Sequence, residues 1–267
     1  MELSLDKVAI IYNPEIEGAQ ALSKSIRCSF ESSRVHTLDN MPDDATFVIV
    51  IGGDGTLLKC ARKYCESDVP LFGFNMGRLG FLAQALPNET QRVISKIKAG
   101  DFRIEKRTML KCPTTGAVAL NDMVIRGAAY SRTSTLNLYI NNIKLCSYLA
   151  DGLIISTPTG STAYALSAGG PIISPNLECF VVVPICPHTL NARPIVVPTG
   201  EHIKITTVEA PKDFQMTADG QDARIVKNEV CVEKHSKYSK LLLLNNEGGH
   251  FYDILREKLH WGIAPNK

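Results

Sequence analysis

Apolar and polar positions follow two alternating patterns in the first hundred residues. Short apolar runs rich in β-branched side chains predict buried strands, and each is followed by apolar residues at helical spacing. The strands are predicted at residues 8–12, 48–51 and 70–74, and the helices at residues 21–30, 57–62 and 89–99. This order predicts a parallel sheet covered by helices, which binds ligands at the carboxyl ends of its strands. For the last helix, Asn88 and Gln91 resemble a capping box and Gly100 a C-terminal stop.

The pattern changes at about residue 102, after which strand signals dominate. They lie at residues 117–125, 135–140, 143–148, 153–156, 180–184, 195–197, 202–208, 229–232 and 241–244. Asn141-Asn142 predicts a tight hairpin turn. We therefore predict an α/β nucleotide-binding domain with a parallel sheet over residues 1–101, followed by a largely antiparallel β-sandwich domain over residues 102–245. The last helix, at residues 251–259, is predicted to return to the first domain as part of a C-terminal segment, residues 246–267.

Composition and charge exclude several classes of function. Hydrophobic residues make up 45% of the 267 residues and charged residues 21%, which is typical of a globular protein. A net charge of +2 without a dense basic run indicates neither a nucleic-acid surface nor a membrane patch. The apolar runs are too short to cross a bilayer, and the N-terminal residues lack signal-peptide features. We expect a cytoplasmic protein.

The cysteine and histidine spacings argue against a structural metal site. The eight cysteines include no Cys-x-x-Cys pair, and the six histidines show no zinc-type spacing. Several cysteines, such as Cys146 and Cys186, have apolar neighbours in the sequence. We therefore expect free thiols that are mostly buried, and no fixed metal site.

The most informative stretch is Gly52-Gly53-Asp54-Gly55-Thr56, directly after the predicted strand at residues 48–51. A glycine-rich turn between a strand and a helix lets backbone N–H groups face a phosphate. The carboxylate of Asp54 would repel that phosphate unless a metal intervenes or the carboxylate takes up a proton. The turn therefore indicates phosphoryl transfer to a hydroxyl, although Asp54 as a simple N-cap of the helix is an alternative.

Three further blocks of polar residues offer groups that suit a nucleotide. The block from Asn75 to Leu82 contains two glycines, and Asn121-Asp122 places an amide beside a carboxylate. For both blocks an ordinary structural turn is the alternative. The third block extends from Asp151 through the hydroxyl-rich loop of residues 157–162 to Pro171, and a plain capped helix would need only one of those hydroxyls.

With these blocks in this order, the chain resembles the NAD kinase family. The resemblance is collinear over about residues 8–260. The matching stretches are Gly52-Gly53-Asp54-Gly55-Thr56, the segment Asn75-x-Gly77-x-Leu79-Gly80-Phe81-Leu82, Asn121-Asp122, Thr157 to Pro171, Cys186 to Pro194, and Asp219-Gly220-Gln221. Asp122 departs from the family pattern, where glutamate often follows the asparagine.

The resemblance implies transfer of the γ-phosphoryl group of ATP to the 2′-hydroxyl of the adenosine ribose of NAD. It implies that Asp54 is the general base and that Asn121 and Asp122 hold the adenosine end of NAD. It also implies that Asp151 contacts the nicotinamide end or its ribose. Thr162 and Tyr164 would line the adenosine pocket. The remaining residues for which it implies nucleotide contacts are Gly53, Gly55, Lys59, Asn75, Thr159, Ser161, Ala163, Ser167 and Gln221.

The same resemblance implies that Mg²⁺ accompanies ATP and that the chain forms a homodimer or homotetramer. It also makes residues 102–245 the NAD-binding domain. Three alternatives stay open at this point: a lipid kinase of the diacylglycerol or sphingosine type, a phosphofructokinase, and a sensor that binds NAD or NADP without chemistry. No basic amphipathic helix favours the lipid kinase, and a sensor would not need the acid at position 54.

Overall fold

The computed structural model describes residues 3–77, 80–128, 133–189, 191–208, 212–245 and 251–259. The chain divides into two compact units, Met1–Lys106 with Ser239–Lys267, and Arg107–Tyr238. These boundaries differ from the predicted ones at residues 101 and 246, because two strands on either side of the second unit belong to the sheet of the first. Of the predicted features, Leu79 and residues 246–250 and 260–267 lie outside the described residues, and so does Leu190.

The described residues form five α-helices and eighteen strands. The helices are α1 (Ala19–Arg27), α2 (Asp54–Tyr64), α3 (Thr90–Ala99), α4 (Tyr164–Ser167) and α5 (Phe251–Leu259). The strands are β1 (Val8–Tyr12), β2 (Arg34–Thr37), β3 (Phe47–Gly52), β4 (Pro70–Asn75), β5 (Phe102–Arg107), β6 (Leu110–Cys112), β7 (Ala117–Ala119), β8 (Asp122–Gly127), β9 (Ser134–Ile140), β10 (Ile143–Ala150), β11 (Gly152–Ser156), β12 (Cys179–Ile185), β13 (Ile195–Pro198), β14 (Ile203–Thr207), β15 (Asp213–Ala218), β16 (Asp222–Lys227), β17 (Glu229–Lys234) and β18 (Ser239–Leu244).

The first unit contains the predicted parallel sheet, in the order β2-β1-β3-β4-β18-β5. The pairs β1–β2, β1–β3, β3–β4 and β4–β18 are all parallel. Every residue of β3 and β4 is buried, as expected for central strands covered on both faces. β2 is absent from the sequence-based prediction because Arg34, His36 and Thr37 make this edge strand polar.

The helices of the first unit confirm the prediction, with one correction at the start of α3. The predicted box of Asn88 and Gln91 does not form; instead a carboxylate oxygen of Glu89 accepts a hydrogen bond from the N–H of Leu86 at 2.7 Å. Pro87–Glu89 form a short 3-10 turn ahead of α3, which moves the cap toward the N-terminus. The predicted stop is confirmed, since Gly100 adopts a left-handed conformation with φ 72°.

The second unit is the predicted antiparallel sandwich. Its two six-stranded sheets have the orders β10-β9-β14-β17-β6-β7 and β13-β12-β11-β8-β15-β16. Apolar side chains from both sheets, such as Leu136 and Ile205 from one and Phe180 and Phe214 from the other, form one buried core. The Asn141-Asn142 hairpin is confirmed, with φ values of 49° and 65°.

Two predictions about strands in the second half of the chain need correction. The strand predicted at residues 117–125 is two strands, because Leu120 and Asn121 form a turn between β7 and β8. The strand at residues 241–244, predicted in the sandwich, is β18 and pairs with β4 in the first sheet. The prediction that the last helix returns to the first domain is confirmed, since α5 belongs to the first unit.

The cysteines are free thiols, as predicted, and all eight lie among the described residues. Only Cys60, Cys65 and Cys112 are fully buried, and burial raises the pKa of the Cys60 thiol to about 12. The prediction that most of the thiols are buried is wrong, since Cys28 and Cys186 are exposed and Cys146, Cys179 and Cys231 are half-buried. None of the described helices combines the length and the apolar character needed to span a bilayer.

Candidate active site

The glycine-rich turn connects the buried strand β3 to helix α2. Gly53 is the N-cap in an extended conformation, and Asp54 is the first residue of the helix. A β-carbon on Gly52 would lie 2.3 Å from Oγ1 of Thr56, so the turn requires glycine there. Gly52 pairs in register with Asn75 at the end of β4. The two blocks predicted from the sequence, around Asp54 and Asn75, therefore meet at one edge of the sheet.

The carboxylate of Asp54 is held by the backbone that follows β4. Oδ2 accepts a hydrogen bond from the N–H of Phe81 at 2.8 Å. Oδ1 accepts from the N–H groups of Leu82 and Ala83 at 3.3 and 3.2 Å. These N–H donors fix the position and the orientation of the carboxylate. The alternative that Asp54 is a simple N-cap is wrong, because the N-cap of α2 is Gly53 and the described hydrogen bonds of the Asp54 carboxylate come from residues 81–83.

The other predicted residues of the first unit have different surroundings. Asn75 is buried, and its Oδ1 accepts the N–H of Gly77 at 3.0 Å, so the amide shapes the turn after β4. Lys59 lies in α2 beyond Asp54, and its Nζ forms an ion pair with Asp39 at 2.8 Å. Gly55 lies on the exposed side of the first turn of α2.

In the second unit, the turn from Leu120 to Asp122 is bound by a single carboxylate. Oδ1 of Asp219 accepts the N–H of Asn121 at 2.7 Å and that of Asp122 at 3.3 Å. Oδ2 accepts the N–H of Leu120 at 3.1 Å. The N–H of Asp219 donates in return to the carbonyl of Asp122 at 2.9 Å. Asp219 and Gly220 have φ values of 50° and 66°, which places this acid at the tip of the β15–β16 hairpin.

Residues at the end of β11 donate hydrogen bonds to the carbonyl groups of the same turn. The Thr157 hydroxyl donates to the carbonyl of Leu120 at 2.6 Å, and the N–H of Thr157 donates to the carbonyl of Asn121 at 2.9 Å. The Ser156 hydroxyl donates to the carbonyl of Asn121 at 3.2 Å. The backbone of the turn is therefore fixed on both its donor and its acceptor sides.

The turn carries two polar side chains, of which Asn121 is half-buried and Asp122 is buried. Oδ1 of Asn121 is buried and accepts no hydrogen bond from any residue that the structure describes. A buried acceptor of this kind suits an N–H or O–H donor of a ligand. Asp122 is only 4% exposed. Burial first, and the nearby charge of Asp219 second, raise the pKa of the Asp122 carboxyl to about 7.

The hydroxyl-rich loop forms a short 3-10 helix, Thr159–Thr162, whose hydroxyls mostly bond within the protein. The buried Ser161 hydroxyl lies 2.7 Å from the carbonyl oxygen of Pro158, to which it donates, and 3.2 Å from that of Ile173, and it accepts the N–H of Ile173 at 2.9 Å. Thr162 donates to the carbonyl of Thr159 at 3.4 Å. These bonds use the donor of the Ser161 hydroxyl and one of its two acceptor positions, and the contact of Ser161 with a nucleotide stays a prediction.

The remaining predicted residues lie in this loop, in α4 directly after it, and in the β15–β16 turn. The buried Thr159 accepts a hydrogen bond from Nη1 of Arg107 at 3.3 Å. Tyr164 is 38% exposed at the start of α4, and its hydroxyl accepts from Nη2 of Arg126 at 3.4 Å. Ala163 is the junction between the 3-10 helix and α4, Ser167 ends α4 with its side chain exposed, and Gln221 follows Gly220 in the β15–β16 turn.

Asp151 has partners that the sequence analysis missed. It lies between β10 and β11, and its Oδ1 accepts a hydrogen bond from the hydroxyl of Thr133 at 3.3 Å. The same hydroxyl lies 3.4 Å from Nε2 of His188. His188 lies in the stretch from Cys186 to Pro194 that resembles the NAD kinase family, and this resemblance was the sequence feature that could have indicated His188. No sequence spacing links Thr133 to Asp151, because β9 and β10 separate them.

The glycines at positions 80 and 160 and the acid at 219 were recognised only as parts of motifs. Their individual roles depend on contacts with residues far along the chain. Among the described residues, no group of three or more His, Cys, Asp or Glu side chains is arranged to hold a metal ion.

Comparison with known proteins shows the family of the chain. Residues 8–102 match the model of the ATP-NAD kinase N-terminal domain, and residues 120–244 match that of the ATP-NAD kinase C-terminal domain. An NAD kinase of Thermoanaerobacter sp. strain X514 is 41% identical over 222 residues, covering 80% of this chain and 78% of the relative. One from Geotalea daltonii is 39% identical over 250 residues, covering 90% and 86%.

Two solved structures share the fold. The crystal structure of an NAD kinase from Archaeoglobus fulgidus in complex with ATP superposes with a TM-score of 0.77 at 25% identity, covering 93% of this chain and 98% of that one. The yeast NADH kinase complexed with NADH gives a TM-score of 0.84 at 23% identity, covering 98% and 89%. Both domain models, the relatives and the turns around Asp54 and Asn121 lead to one conclusion: this chain belongs to the NAD kinase family.

Proposed function

We propose that the chain is an NAD kinase, a phosphotransferase with an alcohol group as acceptor. It transfers the γ-phosphoryl group of ATP to the 2′-hydroxyl of the adenosine ribose of NAD and produces NADP and ADP. The ribose oxygen forms the new bond to phosphorus while the bond between the γ-phosphorus and the β–γ bridging oxygen breaks. The hydroxyl proton moves to the carboxylate of Asp54.

The observation that carries this proposal is the bonding of Asp54. Among the described residues, three backbone N–H groups donate to this carboxylate, so it is held in a fixed position and orientation. Its position at the start of α2, after a glycine-rich turn, combines a base with a backbone suited to phosphate. Phosphoryl transfer depends mainly on such positioning of the nucleophile and on charge neutralisation.

The second unit supplies the groups that recognise the adenosine end of NAD in this proposal. The free acceptor Oδ1 of Asn121 matches a donor such as an amino group or a ribose hydroxyl. With a pKa near 7, Asp122 can either donate or accept a hydrogen bond at neutral pH. The exposed ring of Tyr164 offers a stacking surface. Asp151 would contact the nicotinamide end.

Nucleotide contacts of Gly53, Gly55, Lys59, Asn75, Thr159, Ser161, Thr162, Ala163, Ser167 and Gln221 are part of the proposal. Mg²⁺ would enter bound to the phosphates of ATP and neutralise their charge. Assembly into a homodimer or homotetramer and a cytoplasmic location are also proposed. The subunit number is measurable by light scattering after size-exclusion chromatography.

The test is the formation of NADP from NAD, ATP and Mg²⁺, detected with an NADP-specific dehydrogenase. The variant Asp54→Asn is measured alongside, since it keeps the size of the side chain and removes the base. We expect turnover to fall about 100- to 10,000-fold, with the NAD dissociation constant changed less than about threefold. Circular dichroism and thermal unfolding show whether the variant is folded.

Other outcomes would separate the alternatives. If the folded parent binds NAD but forms no NADP, the chain is a sensor or uses another acceptor, and a screen of diacylglycerol and sphingosine tests the lipid-kinase alternative. If Asp54→Asn turns over as fast as the parent, Asp54 is not the base.

A further inference from the structure

The turn that presents Asn121 is shaped by one acidic residue from a distant part of the chain. Asp219 is 8% exposed, and both of its carboxylate oxygens accept backbone N–H groups of that turn. Three consecutive N–H groups that converge on one carboxylate form a concave donor site of the kind that binds anions. Here the anion is a side chain of the protein itself.

We propose that Asp219 is a positioning residue for nucleotide binding, which fixes the Leu120–Asp122 turn so that Oδ1 of Asn121 faces a ligand donor. This inference rests on the proposed function, because it assigns Asn121 to the adenosine end of NAD. Asp219 itself does not touch the substrate. Its effect passes through the backbone of the turn.

The distances explain why the turn needs this acid. The carbonyls of Leu120 and Asn121 bond to Thr157 and Ser156, but these bonds leave the N–H groups on the other side of the turn without a partner. Asp219 supplies two oxygens at 2.7 to 3.3 Å for those N–H groups. A neutral amide could offer only one acceptor oxygen, and its NH₂ group would face another donor.

The backbone of the hairpin adds a second constraint on the turn. Asp219 has a positive φ of 50°. In this conformation its own N–H donates to the carbonyl of Asp122, while its side chain accepts the N–H groups of residues 120–122. The bonds that the Asp219 carboxylate accepts and the bond that its N–H donates run in opposite directions, and together they fix the position and the orientation of the turn. Aspartate tolerates this left-handed conformation better than most residues.

The experiment measures the NAD dissociation constant and the steady-state constants of Asp219→Asn in the full chain. We expect the NAD dissociation constant to rise about tenfold, from the loss of charge-assisted bonds that orient Asn121. The KM for ATP should change less than about twofold. Asp213→Asn, which removes one carboxylate from the first residue of the same hairpin, is the matched control and should leave both constants unchanged.

A double-mutant cycle separates positioning from general loss of structure. If Asp219 acts through Asn121, Asp219→Asn should weaken NAD binding little further once Asn121→Ala is present. Losses that multiply in the double variant would overturn the proposal, and so would an unchanged NAD dissociation constant in Asp219→Asn. Amide exchange of residues 120–122 should accelerate in the variant.

Two results keep this test independent of folding and of the proposed function. If Asp219→Asn does not fold, Asp219→Glu retains the charge but displaces the oxygens, and it should raise the NAD dissociation constant in the same way. A Glu variant that binds NAD like the parent would overturn the proposal. If the parent itself neither binds NAD nor forms NADP, the proposed function fails. If the parent is active and Asp219→Asn has the same NAD dissociation constant as the parent, only the positioning role of Asp219 is refuted.

Discussion

Gly80 and Asp54 are packed so closely that no side chain fits between them. A β-carbon on residue 80 would lie 2.0 Å from Oδ1 and 2.4 Å from Cγ of Asp54. The φ of Gly80 lies outside the left-handed region, so its backbone conformation does not itself demand glycine. The requirement is the space that the Asp54 carboxylate occupies when it accepts the N–H groups of residues 81–83.

We therefore predict that Gly80→Ala displaces the proposed base while the α/β unit stays folded. The expected result is a fall in kcat of at least about tenfold, with the NAD dissociation constant nearly unchanged. Forcing the extra carbon into this packed site should also lower the free energy of unfolding by about 1–3 kcal/mol. Steady-state kinetics and urea unfolding measure the two effects.

The control for this prediction is the same substitution in an Asp54→Ala background. With no carboxylate to displace, Gly80→Ala should then cost much less stability. An equal loss in both backgrounds would show that the added methyl group collides with something other than Asp54.

Gly160 has a similar relationship to the nucleotide turn of the second unit. A β-carbon there would lie 2.1 Å from the carbonyl oxygen of Asn121, which is backbone and cannot swing aside. We predict that Gly160→Ala raises the KM for NAD at least about tenfold and lowers the free energy of unfolding by about 3 kcal/mol. Gly200→Ala is the control, because no described heavy atom outside its immediate neighbours lies within 4 Å of its β-carbon position. Equal effects of the two substitutions would contradict the prediction.

The raised pKa of Asp122 predicts a dependence of stability on pH. Its pKa is about 7 in the folded chain against an ordinary value of 3.8 for aspartate. Between these values the folded state retains a proton that the unfolded chain has lost, so the free energy of unfolding falls as pH rises from about 4 to 7 and then levels off. The full contribution has an upper limit of about 4 kcal/mol.

Asp122→Asn should remove this dependence. Urea unfolding at pH 5 and pH 8 should show that the variant gains stability relative to the parent at the higher pH. Asp213→Asn, at a partly exposed carboxylate, serves as the comparison. A parent-to-variant difference that is the same at both pH values would show that Asp122 does not titrate in this range.

Lys59 offers a test of phosphate contact that is independent of folding. Its ion pair with Asp39 is partly exposed, with 40% and 78% of the side chains accessible, so its loss should change the free energy of unfolding by less than about 1 kcal/mol. If Lys59 exchanges Asp39 for a phosphate when nucleotide binds, Lys59→Ala should raise the KM for ATP about fivefold or more.

Lys63→Ala is the matched control for Lys59. Lys63 lies one turn further along α2, forms an ion pair with Asp43, and is not a predicted site residue. Its replacement should leave the KM for ATP unchanged. Similar effects of both replacements would indicate a general charge effect of the helix.

The sequence by itself determined the order of strands and helices in the first unit and the sandwich character of the second. Buried strands such as β3 are unbroken apolar runs, and this local signal survives without tertiary contacts. It also identified the turns around Asp54 and Asn121, because glycine and polar residues interrupt apolar runs there. The sequence did not predict polar strands such as β2, nor that β18 belongs to the first sheet. Both depend on pairing with strands that are distant in the sequence.

Only the tertiary structure decided what each polar side chain does. The sequence could not show that Asp54 bonds to residues 81–83 rather than to its own helix, because those partners follow the next strand, β4. Nor could it show that the Ser161 hydroxyl accepts the N–H of Ile173, or that Asp219 binds a turn nearly a hundred residues earlier, with a sequence separation of 98 to Asn121. A hydrogen bond depends on the distance and angle between two groups, and only the folded chain brings such groups within about 3 Å of each other.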